Sequence, residues 1–437
     1  MDKQTALDLL DEKQDFLFSV SDSIWDHPET DYTEAVSSGI LMDALKKEGF
    51  TVTSGLAGIP TAFSGSYGSG SPVIGILGEF DALSGLSQKA CATEKEALEP
   101  GGNGHGCGHN LLGTGSLAAA IAVKEYLKGS KKPGTIIYFG CPAEEGGSAK
   151  AFMARDGVFK ECDAALTWHP GTENQVTSGT CNTCIQTEYK FTGVASHAAG
   201  APEQGRSALD AVELMNIGVQ FLREHMPDTA RIHYSITDAG GDSPNVVQPR
   251  AQVLYMVRSI WAKEALALQE RVDRIALAAS MMTDTTMEKK FIDGCSNTVP
   301  NKVLEKLLWE NFSQVEMPEY TEEEIAYAQA LCDSVEMKDN KLPGDFTEDS
   351  EELYEFVDKA SEHGTKAIND FLIPYFYSEH PRMGSTDVGD VSWLVPTAQI
   401  NTATYPSKAP GHSWQNVSCG RTSIAHKAML MAGKVLA

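Results

Sequence analysis

Three short, almost uninterrupted apolar runs constrain this chain most: Pro72-Val-Ile-Gly-Ile-Leu77, Gly134-Thr-Ile-Ile-Tyr-Phe-Gly140 and Ala164-Ala-Leu-Thr-Trp168. A strand without polar–apolar alternation is apolar on both faces and needs cover on both. Helical periodicity from about Leu111 to Leu127 separates the first two runs. Strands alternating with helices in this way predict an α/β domain with a doubly covered sheet. Each run also ends in groups that carry chemistry: Gly78-Glu-Phe-Asp81, Cys141-Pro-Ala-Glu144-Glu145 and His169-Pro170. In open α/β sheets, ligands gather beyond the carboxyl ends of the strands.

The rest of the chain organises around that domain. An apolar stripe through Leu9, Leu10, Phe16, Leu17, Val20 and Ile24, then the segment Thr33 to Glu48 closed by Gly49, read as helices. Between residues 185 and 295 the order becomes strand, helix, strand, strand, helix, strand, the split βαβ pattern of a two-layer, ferredoxin-like α+β domain. The expected division is a catalytic domain over 1–184 and 296–437, with a lid or dimerisation domain inserted over 185–295. An acidic segment at about 316–358 holds 15 acidic residues against Lys338 and Lys341. Its apolar positions recur at helical spacing and it lacks an EF-hand loop, so it reads as a solvated helical insertion.

Composition removes several function classes. The 437 residues carry 35 Lys and Arg against 60 Asp and Glu, a formal charge of −25, which opposes nucleic acid and anionic membrane as partners. No apolar run approaches the roughly 18 residues of a membrane span. The first residues, Met1-Asp-Lys-Gln, show no basic segment followed by an apolar stretch, so a cytoplasmic enzyme is expected. Nine scattered cysteines make an odd count and argue against a disulfide framework, and the lone Cys181-x-x-Cys184 is a weak zinc or redox signal.

The densest chemical signal is Gly101-Gly-Asn-Gly-His105-Gly-Cys107-Gly-His109-Asn110. A thiol and an imidazole two residues apart, ahead of a helix, can reach one metal centre. A phosphate cradle and a Gly-rich loop around a structural Cys are the competing readings; the first lacks the Lys-Ser/Thr of a P-loop. Glu144 and Glu145 lie between an apolar strand and two glycines, where one carboxylate can bind metal while the other moves protons. His412, in Pro410-Gly-His-Ser-Trp414, is a candidate late ligand. His197 in the inserted domain is a candidate substrate contact, and His105 is a candidate support for the ligands. Trp168, Trp393 and Trp414 fall near these segments, as flat walls for an aromatic group or as ordinary core.

Taken together, Leu77-Gly-Glu-Phe-Asp-Ala-Leu83, Asn103-Gly-His-Gly-Cys-Gly-His-Asn-Leu-Leu-Gly113, Glu144-Glu-Gly-Gly147, Asp163-Ala-Ala-Leu-Thr-Trp-His-Pro170, Pro244-Asn-Val-Val-Gln248 and Ser385-Thr-Asp-Val-Gly-Asp-Val-Ser-Trp393 resemble the dinuclear-metal family of aminoacylases, N-acyl-amino-acid amidohydrolases and carboxypeptidases. The resemblance runs from residue 24 to the C-terminus and weakens through the acidic segment. It implies two divalent ions, zinc or manganese, with Cys107 as bridging ligand and His109, Glu145, His169 and His412 as the others. It implies Glu144 as general base, with His197 and Asn245 reaching substrate in a neighbouring subunit's site and Arg258 meeting an α-carboxylate. The implied reaction is hydrolysis of the amide of an N-acyl or N-aroyl amino acid such as p-aminobenzoyl-glutamate, a dipeptide being the alternative. The implied assembly is a homodimer or a complex with a homologous subunit. A cysteine hydrolase built on Cys107 would leave Glu145, His169 and His412 without a role, and a closed structural zinc site would leave Glu144 without one.

Overall fold

The three apolar runs become neighbouring strands. The computed structural model describes residues 1–336 and 341–437, so Lys338 of the acidic segment lies outside the described residues. The strands are, in chain order, β1 (Thr51–Ser54), β2 (Phe63–Ser69), β3 (Val73–Glu79), β4 (Gly134–Cys141), β5 (Ala164–Gly171), β6 (Gln175–Thr177), β7 (Thr183–Thr192), β8 (Arg231–Asp238), β9 (Arg250–Ser259), β10 (Thr286–Cys295) and β11 (Thr397–Ala403). Among the described residues they form two sheets, a seven-stranded one ordered β1-β2-β4-β3-β5-β11-β6 and a four-stranded one ordered β10-β7-β9-β8.

In the larger sheet β4, β3, β5 and β11 run parallel, so their carboxyl ends share one edge. Alternate residues divide between the faces. Ile74 and Ile76 of β3, Ile136 and Tyr138 of β4, Trp168 of β5 and Ile400 of β11 pack with Leu117 and Ile121 of the helix His109–Ser130 and with Met429 and Val435 of the helix Ser423–Leu436. On the opposite face Phe139 meets Phe159, 5.0 Å between ring centroids, just after the short helix Ala149–Arg155. The sheet is thus covered on both sides. The long helix comes close because it carries glycine where it meets Trp168: a Cβ on Gly115 would fall 2.7 Å from the indole. Trp168 is fully buried and its Nε1 donates to the Leu112 carbonyl at 3.0 Å, which makes it a core residue and not a wall for substrate.

The chain forms two compact units. The first spans Met1–Gly179, Val299–His380 and Asp390–Ala437, and the second spans Thr180–Thr298 together with Pro381–Gly389. The sequence pattern puts the segment 381–389 in the larger domain; backbone bonds Arg382 N to Thr180 O and Asn182 N to Gly384 O, both 2.9 Å, tie it instead to the second unit. That unit is an antiparallel sheet backed by the helices Ala208–Arg223 and Ala262–Met282. Its core holds Tyr189, Phe191, Val212, Met215, Val253, Tyr255, Val257, Leu268 and Val272, the inward positions of strands and helices alike.

The acidic segment contributes the helices Glu322–Asp333 and Glu351–Ala360 to the first unit. Thr321 and Glu324 form a reciprocal capping box at the first of these. Ala328 and Leu331 are buried in a cluster with Tyr405, Cys419 and Ile424, while Ile325 stays exposed.

Candidate metal centre

Parallel strand ends set the site. Asp81 follows β3, Glu144 and Glu145 follow β4, and His169 lies near the carboxyl end of β5. Cys107 and His109 arrive from the loop that opens the long helix, whose first residue is His109. Among the described residues three groups bring their donor atoms within 4.8 Å of one another: Cys107–His109–His169, Cys107–Glu145–His412 and Glu79–His109–Glu144. Cys107 belongs to two of them, the arrangement a bridging ligand requires.

Hydrogen bonds fix which ring nitrogens face inward. His109 Nδ1 donates to Asp81 Oδ1 at 2.8 Å, and His169 Nδ1 donates to the Pro170 carbonyl at 2.7 Å. The Nε2 of each ring therefore points into the cluster, the usual orientation of a metal-binding histidine anchored through its other nitrogen. His109 Nε2 is buried without a hydrogen-bond partner, 3.3 Å from Glu79 Oε2 and 4.0 Å from Glu145 Oε1. His169 Nε2 lies 3.4 Å from Cys107 Sγ, and His412 Nε2 lies 3.4 Å from Glu145 Oε1. Asp81 also accepts from the Glu145 backbone N at 3.0 Å, so one carboxylate positions two of the expected ligands.

The electrostatics call for a cation. Burial, then the Glu145 carboxylate, hold the Cys107 thiol well above its ordinary value. Burial alone would raise Glu145, but His412 and His109 pull it down to about 2. Burial alone would lower His109, but Cys107 and Asp81 hold it well above the usual imidazole range. Cys107 and His109 thus hold their protons beside an ionised Glu145, positive charge that a divalent ion would replace with its own. Soft thiolate, imidazole and carboxylate donors suit zinc and related ions. The residues present fit a metal centre.

The loops are held under strain. Ala143, Ser148 and His412 have positive φ of 53°, 49° and 53°, which non-glycine residues adopt at a cost of order 1–3 kcal/mol. Two hydrogen bonds keep the Glu144 loop in place. Glu34 accepts from Ala143 N at 3.0 Å, Tyr32 donates its hydroxyl to the Gly147 carbonyl, and burial pushes the Glu34 carboxyl up to about 7. His105 is buried behind the cluster and donates from Nε2 to the Ile24 carbonyl at 3.1 Å. Burial, then the neighbouring His109, drives His105 down to about 3, so it stays neutral.

Two residues at the centre carry no signal in isolation. Glu79 is buried and pairs with the buried Lys150, Oε1 to Nζ 2.8 Å. Glu79 and Asp81 stand two apart at the end of β3, a spacing that puts strand residues on one face. Lys150 has no such mark, being a lysine on a short helix.

The second unit groups only some of the remaining candidates. His197 and Asn245 come together: Ala198 N donates to Asn245 O at 2.9 Å, and His197 forms an isolated bridge with Val246. His197 Nδ1 accepts from Ala199 N at 3.2 Å and Gly200 N at 3.0 Å, so the neutral ring carries its proton on Nε2. Arg258 is not part of this group; it sits on β9 and donates to Ser385 Oγ at 2.7 Å. Register separates them: Arg250 pairs with Thr192 at the end nearer His197, and Arg258 pairs with Cys184 eight residues further along β9. The contacts Gly193–Pro249, Val247–Ser196 and Ala198–Asn245 continue the ladder away from Arg258.

Residues 75–399 match the pattern of peptidase family M20/M25/M40. The chain is also 46% identical over 424 residues, 96% of its own length and 87% of the relative's, to the B subunit of p-aminobenzoyl-glutamate hydrolase from Escherichia coli (strain K12). The chain belongs to this peptidase family. As a member it is a metal-dependent hydrolase of amide bonds. The M20 fold is shared with an aminobenzoyl-glutamate utilization protein from Klebsiella pneumoniae, with TM-score 0.61, 16% identity and 97% of each chain covered. It is also shared with a dinuclear metal-binding M20 peptidase from Bacillus subtilis, with TM-score 0.56, 15% identity and coverage of 98% of this chain and 99% of that one.

The glycine between the Cys107 and His109 ligands gives a direct test of how this M20 site is built. Gly108 has φ +74°, and a Cβ there would fall 1.9 Å from the Tyr405 hydroxyl and 3.1 Å from Pro170. Gly108→Ala is expected to lower stability by about 2–5 kcal/mol from left-handed strain and overpacking together, and to lower metal content. Chemical denaturation and elemental analysis measure both; an unchanged midpoint with full metal content would contradict this account of the loop.

Proposed function

We propose that this chain hydrolyses p-aminobenzoyl-glutamate to p-aminobenzoate and glutamate. What carries the reading is the 46% identity, over almost the whole chain, to a subunit named for that activity. We further assign Cys107, His109, Glu145, His169 and His412 as ligands of two divalent ions, zinc or manganese, with Cys107 shared between them. The clustering of their donor atoms supports this. When bound, the ions polarise the scissile carbonyl and bring the pKa of a water towards about 7.

The chain's own groups account for the proton movements. Glu144 takes the proton of the attacking water and delivers it to the departing amine nitrogen, a role worth roughly 10² to 10⁴ in rate. His197 donates its Nε2 proton in a hydrogen bond to the oxygen that gains charge, and the two backbone bonds to Nδ1 support that tautomer. Arg258 and Asn245 bind the carboxylate end, the guanidinium because its fork matches two oxygens.

The inserted domain, taken as 185–295, serves in this reading as lid and dimerisation domain. Register supports completion of the site in trans. Eight strand residues at about 3.3 Å put Arg258 roughly 26 Å from the end of β9 nearer His197, farther than one acyl amino acid reaches. If Arg258 and His197 serve the same substrate, they come from different copies, in a homodimer or an assembly with a homologous subunit. Among the described residues no helix is long and apolar enough to cross a membrane, and the odd, dispersed cysteines support a reducing cytoplasm.

Two measurements test this function. On metal-loaded enzyme, kcat/KM is expected to be higher for p-aminobenzoyl-glutamate than for matched dipeptides. Glu144→Gln should then lower kcat at least about 100-fold with metal content retained. Efficient dipeptide cleavage with no action on aroyl-glutamates would overturn the substrate, and metal loss in Glu144→Gln would overturn the division of roles. Separately, mixing inactive His197→Ala and Glu144→Gln subunits is expected to restore activity through one intact site per mixed dimer. No recovery despite verified subunit exchange would refute completion in trans.

A further inference from the structure

One pair of buried charges beside the cluster has no role in the reaction so far described. Glu79 and Lys150 are 2% and 0% exposed, and their ion pair of 2.8 Å uses only Glu79 Oε1. Glu79 Oε2 is buried and has no hydrogen-bond partner among the described residues. It faces His109 Nε2 at 3.3 Å. His109 Nδ1 is engaged by Asp81, so Nε2 is the ring nitrogen that meets this oxygen, and neither atom has another hydrogen-bond partner among the described residues. A proton on Nε2 joins the two atoms when no ion is bound, and a divalent ion that displaces it meets the imidazole nitrogen and the carboxylate oxygen together. Glu79, His109 and Glu144 each bring a donor atom within 4.8 Å of the other two, so the geometry meets a ligand's requirement as well as the expected five residues do.

We propose that Glu79 is a further ligand of the metal centre, and that Lys150 is the positioning residue that turns its carboxylate towards His109. The assignment rests on the metal-centre reading above and extends it. Lys150 Nζ occupies one carboxylate oxygen and so fixes the rotation of the group, leaving the other oxygen for the ion that His109 binds. A buried ion pair with no tie to the metal would be weak support for stability, since desolvating two charges offsets most of their attraction. A role at the metal explains its place at the end of β3, two residues from Asp81.

The test uses full-length protein titrated with Co²⁺ alone, with wild type, Glu79→Gln and the double variant Glu79→Gln/Lys150→Met, the last leaving no unpaired buried lysine. Circular dichroism confirms folding. Bound Co²⁺ is counted by elemental analysis, affinities come from competition with a chelator, and visible absorption reports the ligand set. Wild type is expected to bind two ions. Both variants should bind one of them about 10- to 100-fold more weakly, with altered d–d bands. Variants that fold and keep both wild-type affinities and the wild-type spectrum overturn the role of Glu79 while leaving the metal centre intact. Wild type that binds no Co²⁺ overturns the metal centre itself, and Glu79 with it.

Discussion

The crowding of like charge at one sheet edge governs the rest of this molecule. Glu79, Asp81, Glu144 and Glu145 stand with the Cys107 thiol around two inward-facing imidazoles, and Lys150 is the buried lysine among them. Glu79 and Glu144 have donor oxygens within 4.8 Å, where two unit charges at an effective dielectric near 20 repel by roughly 3–4 kcal/mol. Such a cluster needs added positive charge, and a raised His109 beside an un-ionised Cys107 thiol eases the crowding when no ion is bound. The carboxyl ends of the parallel strands β3 and β4 create the crowding, because each delivers two carboxylates to the same edge, and β5 adds His169 there.

Holding those residues requires a rigid surround. The long helix places His109 at its first turn, and its glycines bring it against Trp168 and the Glu79 backbone. Positive φ at Ala143, Ser148 and His412 shows that the loops bearing Glu144, Glu145 and His412 are bent against local preference. Buried Glu34 and Asp81 tie the same loop down through backbone N–H groups. The core thus offsets strain that the site demands, a pattern typical of residues set for chemistry. Two kinds of ring follow: His109 and His169 are locked by their second nitrogens, while His412 stays half-exposed on its turn.

Much of this was legible in the amino-acid order. The apolar runs identified the central strands because a doubly covered strand has no polar face, and the Cys107–His109 spacing and strand-end carboxylates gave the cluster. Three things were not legible. Lys150 reads as a surface lysine, since nothing local shows that a short helix tucks it under β3. The segment 381–389 joins the second unit through backbone bonds to Thr180 and Asn182, some 200 residues away, and no local pattern records such a pairing. The separation of Arg258 from His197 depends on the register of β7 with β9, which side-chain alternation leaves open by any even shift. Trp168 shows the opposite case: its position beside a ligand left both a substrate wall and ordinary core open, and its indole takes the core role, filling the gap left by Gly115.

The strand-end cluster is expected to be a two-ion site bridged by Cys107. Anomalous diffraction from crystals of the full chain loaded with zinc, collected on both sides of the zinc edge, tests it most directly. Two peaks are expected, both at about 2.3 Å from Cys107 Sγ, with imidazole nitrogens of His109, His169 and His412 at about 2.0–2.1 Å and a Glu145 oxygen completing the protein ligands. Fully loaded crystals with no anomalous peak within bonding distance of Cys107 would contradict it.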